Sequence, residues 1–321
     1  MYWNQSACVR IGSEYSEYKE IRRGVRQGCV LSPDLFNLYS EQILRHIEDI
    51  KGVSVGGYNF NNLRYADDIV LISDSMQNLQ DMLNVVVQQS DMMGLSVNMK
   101  KTECMVISKK DSIPKCSITI GHDNIKQVTS FRYLGTLIKS DGKCDDEIKC
   151  RIGIAKDAYH KMETVFKNQN ISLRTKLRLL NAYIFPLLLY GSECWTISIE
   201  MNKRLEAAEM WFYRRILRVS YADHIANEEV LDRLSITGEL INQIRKRQIE
   251  FFGHVIRNKE LENIIVTGKL DGKRSRGRPR MTYLNSLSRW FGVEERELIR
   301  LAQSREEWKT IASYVLKGFG T

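Results

Sequence analysis

The chain has 321 residues, of which 43% are hydrophobic and 27% charged. This balance excludes a disordered, collagen-like or disulfide-scaffold protein and leaves length for two or three modest cores. The net charge is +9, and residues 241–321 hold 17 Lys and Arg against 9 Asp and Glu, so the surplus is concentrated at one end and points to a polyanionic partner.

In chain order, residues 8–23 alternate as a hairpin does. Cys8–Ile11 and Tyr18–Ile21 flank a polar turn near Gly12-Ser13-Glu14. A glycine-containing loop follows at 24–32. Ser32, Pro33 and Asp34 are a helix-start signal, read as cap, first-turn proline and first-turn acid. Leu35, Leu38, Ile43 and Ile47 then recur at helical spacing. A second hairpin region spans about 53–74. It has one turn at Gly56-Gly57 and another at Asp67-Asp68, ahead of the apolar run Ile69-Val70-Leu71-Ile72. Ser75 caps a helix that runs to Met93 and stops at Gly94. Strands are expected at Leu95–Val97, Cys104–Ile107, Ser117–Ile120 and Phe131–Ile138.

Past Asp141-Gly142 the alternation gives way to helical periodicity over 145–167, 172–190, 200–219 and 237–256. A basic Gly/Pro-containing connector lies at 271–280. One amphipathic segment, 284–316, follows it and carries Trp290, Leu298, Leu301 and Trp308. The fold class is therefore α+β, with antiparallel hairpins and helices first and helices alone afterwards. The expected domains are 1–140, 141–234 and 235–321. The seven cysteines are odd in number and scattered, which fits reduced thiols in an intracellular compartment, cytoplasm or nucleus. The polar start Met1-Tyr2-Trp3-Asn4-Gln5-Ser6 is not a signal peptide, and the most apolar stretch, 182–190, is too short to span a bilayer. No membrane partner is expected.

Tyr65-Ala66-Asp67-Asp68 is the sharpest chemical signal. Adjacent anions repel one another, and a divalent cation relieves that repulsion. Oxygen ligands shared with phosphates suit Mg²⁺ (or Mn²⁺), the metals of phosphoryl transfer. A solvent-exposed Asp-Asp turn is the plain alternative. Arg26-Gln27-Gly28 offers donors and a close backbone approach to a nucleotide or template.

These motifs stand in a telling order. Arg26-Gln27-Gly28-Cys29-Val30-Leu31-Ser32-Pro33 precedes the Tyr65–Asp68 turn. Gly94-Leu95-Ser96-Val97-Asn98-Met99-Lys100-Lys101 comes next, and Phe131-Arg132-Tyr133-Leu134-Gly135 follows. Together they resemble the reverse transcriptases of non-LTR (LINE-type, RTE-like) retrotransposons. A looser likeness runs through Leu187–Trp195 and Phe252–Val255.

The resemblance implies a partial palm over 1–140, an all-helical thumb over 141–234 and a basic helical tail. It implies Asp67 and Asp68 as catalytic metal ligands and Lys101 near the triphosphate. Arg26, Gln27, Gly28 and Tyr65 would face nucleotide and template, and Leu134-Gly135 would grip the primer. RNA template and DNA primer or target are the implied partners. Such enzymes also carry an aspartate upstream of the Arg-Gln-Gly loop. Residues 1–25 hold no match to that motif, so the chain is expected to be a C-terminal portion, not competent alone. The alternative is a catalytically inactive nucleic-acid-binding remnant.

The tail has its own motif in Lys273-Arg274-Ser275-Arg276-Gly277-Arg278-Pro279-Arg280. Arg-Gly-Arg-Pro is the core of a minor-groove hook for A·T-rich DNA. Generic phosphate contact by a basic linker is the broader expectation. Tyr283, Trp290 and Trp308 are aromatic enough to stack on bases, yet their helical spacing favours core packing.

Overall fold

The computed structural model describes residues 5–108, 112–258, 260–268 and 282–318. It divides into two compact units. One comprises Met1–Cys104 and Lys115–Gln127, and the other Met105–Pro114 and Val128–Thr321. The architecture is α+β, with two-stranded sheets and a majority of helix.

The first unit begins with nested hairpins. Arg10–Ile11 pairs with Glu14–Tyr15 across Gly12-Ser13, and outside it Gln5–Ala7 pairs with Lys19–Ile21. The turn lies where the sequence places it, but the outer strand is Gln5–Ala7 rather than Cys8–Ile11. The helix Ser32–Arg45 follows, and here the expected Ser32 cap does not form. Leu31 occupies the cap position, while the Ser32 hydroxyl donates to the Arg26 carbonyl at 2.5 Å. The loop carbonyl competes for the hydroxyl, and the Leu35 N–H donates to the Leu31 carbonyl at 3.0 Å without a side-chain cap.

Ile43, Leu44 and Ile47 pack against Met82 and Val86 of the helix Met76–Met92. That helix is capped by Ser75, whose side chain accepts the Asn78 N–H. Its Leu83 reaches a second cluster of Cys104, Ile118 and Ile125. Gln80 mimics a strand partner there, donating to the Thr119 carbonyl at 2.8 Å and accepting its N–H at 2.9 Å. The strand expected at Leu95–Val97 is absent. The Leu95 N–H instead returns to the Ser90 carbonyl at 2.8 Å and closes the helix end, with Gly94 at φ +71°. A helix-terminal closure satisfies that donor before a ladder can.

The second unit opens with the antiparallel pair Ser130–Tyr133 and Thr136–Lys139, then the helix Asp145–Lys161 and the short helix Glu163–Lys167. The single helix expected over 172–190 is interrupted. Leu173–Leu179 passes into a π turn, Leu180–Ile184, where the Phe185 N–H donates five residues back to Leu180. Pro186 follows directly, and its ring crowds the regular α path. Tyr159, Phe166, Leu180, Ile184, Phe185, Leu188, Phe212 and Tyr213 form the centre of the main core.

The helices Asn227–Leu234 and Leu261–Thr267 are additional to those expected. The amphipathic segment 284–316 is built of three helices, Tyr283–Phe291, Glu295–Gln303 and Arg305–Gly318. Gly292, at φ +65°, ends the first. Trp308 lies in the core, stacked on Phe291 at 4.9 Å between ring centroids, and its indole N–H donates to the Ile249 carbonyl at 3.1 Å. No described helix is long and apolar enough to cross a membrane.

Candidate functional site

The Asp-Asp turn is built by a four-residue pairing of Asn62–Tyr65 with Asp68–Leu71, in which Tyr65 faces Asp68. Leu63, Val70 and Leu71 are half-buried, and Leu71 packs against both clusters of the first unit. The apolar end of the hairpin is thus anchored and the polar end projects. Buried Asn61 secures the base by donating to the Ile47 and Ile50 carbonyls at 2.6 and 2.9 Å. Arg64 pairs with Glu41 of the helix Ser32–Arg45.

Tyr65, Ala66, Asp67 and Asp68 are all exposed. Ala66 stands at φ +52°, a sign that costs an L-residue about 1–2 kcal/mol. Such strain persists where the surroundings over-determine it and is common at functional turns. Two solvent-facing carboxylates on consecutive residues provide oxygen-only ligands, which fit a hard divalent cation. The described residues include no group of three or more His, Cys, Asp or Glu placed to hold a metal.

Arg26, Gln27 and Gly28 form an exposed loop in the same unit, with Gly28 at φ +83°. The loop is closed by the Cys29 N–H to Arg26 carbonyl bond of 3.2 Å and by the Ser32 hydroxyl. Lys101 is also exposed in this unit, in a turn held by its N–H to the Asn98 carbonyl at 3.1 Å. Its ammonium group is free to meet an anion. Among the described residues, no hydrogen bond or ion pair joins Asp67 or Asp68 to Arg26, Gln27 or Lys101.

Leu134 and Gly135 make the two-residue tip of the Ser130–Lys139 hairpin, at φ +46° and +79°. They belong to the second unit. The basic cluster Lys273, Arg274, Arg276, Gly277, Arg278, Pro279 and Arg280 lies outside the described residues.

Residues 2–138 match the family model described as reverse transcriptase (RNA-dependent DNA polymerase). This segment is similar to reverse transcriptase domains.

The relatives it matches are proteins of transposable elements. The chain is 27% identical to a putative uncharacterized transposon-derived protein of Caenorhabditis elegans, over 80% of this chain and 96% of that protein. It is 26% identical to a retrovirus-related Pol polyprotein from a type-2 retrotransposable element of Drosophila melanogaster, over 61% of this chain. It is 23% identical to a probable RNA-directed DNA polymerase from transposon BS of the same fly, over 60% of this chain. The matches span 19% and 22% of those two longer proteins.

Beyond the matched segment, the structure reveals residues that motif reading passed over. Glu147 and Arg151 form a buried ion pair at 2.6 Å within the helix Asp145–Lys161. Glu147 also accepts the Leu137 N–H at 2.8 Å. The Arg151 guanidinium donates to the Gly135 carbonyl and lies 4.4 Å over the Tyr190 ring. The Tyr190 hydroxyl donates to the Leu134 carbonyl at 2.8 Å. The only sequence signal was Glu and Arg four apart on a helix, which is ordinarily a surface pair. Nothing local shows that both side chains are buried beside hairpin residues ten and sixteen positions upstream.

Proposed function

We infer that the chain serves RNA-directed DNA synthesis in a non-LTR retrotransposon, as the polymerase portion that holds two metal-binding carboxylates. The observation that carries this reading is the exposed Asp67-Asp68 tip on an apolar-anchored hairpin, inside a domain matching the reverse transcriptase family. Asp67 and Asp68 would hold the divalent cation, Mg²⁺ or Mn²⁺. Bound there, it supplies Lewis acidity for a primer 3′-hydroxyl and charge neutralisation for departing pyrophosphate. Lys101 offers a positive charge for the incoming triphosphate. Arg26 and Gln27 offer side-chain donors, and Gly28 leaves its backbone uncovered for a nucleotide or template strand. Tyr65, exposed opposite Asp68, offers a ring face beside the reacting end. Leu134 and Gly135 would meet the primer.

Both carboxylates come from one hairpin and approach a cation from one side. Two ions about 4 Å apart need ligands on opposing sides. We therefore propose that these 321 residues by themselves bind template and primer without extending the primer. Primer extension on an RNA template with Mg²⁺ or Mn²⁺ tests this directly, and no product is expected. A chimera that joins the upstream palm segment of a related polymerase to residue 24 should synthesise DNA and lose that activity in Asp67→Ala and Asp68→Ala. Robust extension by the unmodified chain would overturn the claim of incompetence. An active chimera indifferent to both substitutions would overturn the metal-ligand assignment.

A further inference from the structure

We propose that Tyr190 and Arg151 are positioning residues for the primer end, acting by fixing which face of the Leu134-Gly135 tip presents its backbone N–H. This rests on the reading of that hairpin as the primer grip.

The geometry is over-determined. A two-residue turn with positive φ at both positions has a central peptide standing roughly perpendicular to the hairpin plane, and that peptide can flip at modest cost. Here one orientation is locked. The Leu134 carbonyl is taken by the Tyr190 hydroxyl at 2.8 Å. The next carbonyl, of Gly135, is taken by Arg151 and also by Arg132 at 3.4 Å. Arg151 is in turn oriented by buried Glu147 at 2.6 Å and by the Tyr190 ring beneath it. Glu147 reaches back to the strand through the Leu137 N–H.

In a trans peptide the C=O and N–H point oppositely. Fixing the Leu134 carbonyl against Tyr190 therefore aims the Gly135 N–H to the other, outer side. Gly135 is exposed, and no acceptor among the described residues meets that N–H. An oriented, unpaired backbone donor suits a phosphodiester oxygen and carries no sequence preference. A side chain at position 135 would be strained by the positive φ and would stand 3.6 Å from the Tyr190 ring.

The clamp thus couples a helix and the Tyr190 segment to one peptide plane at the hairpin tip. Removing the Tyr190 hydroxyl leaves the ring in place under Arg151 yet frees the peptide to flip. Changing Arg151 to lysine keeps the charge for Glu147 and loses the forked guanidinium.

The test uses the full chain with a primer–template whose primer ends in 4-thiothymidine. Crosslinked peptides are mapped by mass spectrometry, and total binding is measured in parallel by anisotropy. Wild-type protein should crosslink within residues 130–139. In Tyr190→Phe and Arg151→Lys that fraction should fall about fivefold, the loss expected for one well-placed hydrogen bond, while total binding changes less than about twofold, since phosphate contacts elsewhere dominate it. Tip crosslinking unchanged in both variants, with their thermal midpoints near wild type, would overturn the clamp alone. A wild-type primer end that crosslinks elsewhere would overturn the primer-grip reading and the clamp with it. A fall in tip crosslinking matched by an equal fall in total binding would mark a merely structural role and also overturn the proposal.

Discussion

Gly253 shows how much one missing methyl group decides. It lies in the helix Leu240–Arg257 beneath Trp308, and a Cβ there would stand 2.4 Å from the indole nitrogen and 2.6 Å from its neighbouring carbon. The indole is held by its bond to the Ile249 carbonyl and by stacking on Phe291, so it has little room to yield. Gly253→Ala should destabilise the second unit by about 1–3 kcal/mol, the usual range for overpacking a close contact. Urea unfolding followed by tryptophan fluorescence checks this, and an unchanged midpoint would show that the two helices can separate freely. The motif Phe252-Gly253-His254-Val255 was legible in the sequence as part of a family likeness. The reason for its glycine was not, because Trp308 is 55 residues further along the chain. His254 in the same motif is exposed on its helix.

At the scale of elements, the start of the helix Leu240–Arg257 is capped from a distance. Glu209, buried on the helix Ile199–Leu217, accepts the Glu239 and Leu240 N–H groups at 2.7 and 2.9 Å and the Tyr213 hydroxyl at 2.8 Å. Burial pushes the Glu209 carboxyl above its ordinary range, and the three hydrogen bonds only partly oppose that. The folded state therefore holds this proton more tightly than the unfolded chain. Its contribution is fully present below the ordinary glutamate pKa and is lost as pH rises through the raised folded value. Glu209→Gln, which keeps the accepting oxygen without the charge, should gain in thermal midpoint relative to wild type as pH rises from 4 to 7. Glu209→Ala should lose stability at every pH, since the helix N–H groups are then orphaned. A Gln variant that falls further behind wild type toward pH 7 would show that the ionised carboxylate is the better cap.

At the scale of the molecule, charge asymmetry is the dominant feature of the chain. Residues 241–321 carry nearly all of the net +9. Binding to RNA or DNA should weaken steeply with salt, in proportion to the number of phosphates neutralised. Deleting 271–280 removes five Lys and Arg with one Asp and should reduce the salt slope as well as the affinity. Competition between A·T-rich and G·C-rich duplexes then separates the two roles proposed for Arg276-Gly277-Arg278-Pro279. A modest A·T preference is expected, because one hook offers few contacts and minor-groove readout is degenerate. Equal competition would leave phosphate contact alone, and a salt-insensitive affinity would discard the electrostatic account.

The sequence by itself determined the α+β class, the change to helices past 141, the hairpin turns at Gly12-Ser13, Gly56-Gly57 and Tyr65–Asp68, and the Ser75 cap. These are local matters of turn chemistry, capping and periodicity, encoded within a few neighbouring residues. Tertiary structure decided what local rules cannot reach. Ser32 abandons its cap because a loop carbonyl competes for its hydroxyl, and Leu95 closes a helix instead of starting a strand. Glu147, Arg151 and Tyr190 become a clamp only when the fold brings a helix, a hairpin tip and a bend more than fifty residues apart into contact. Their roles depend on burial and on partners distant in sequence, and neither is a property of any short stretch of chain.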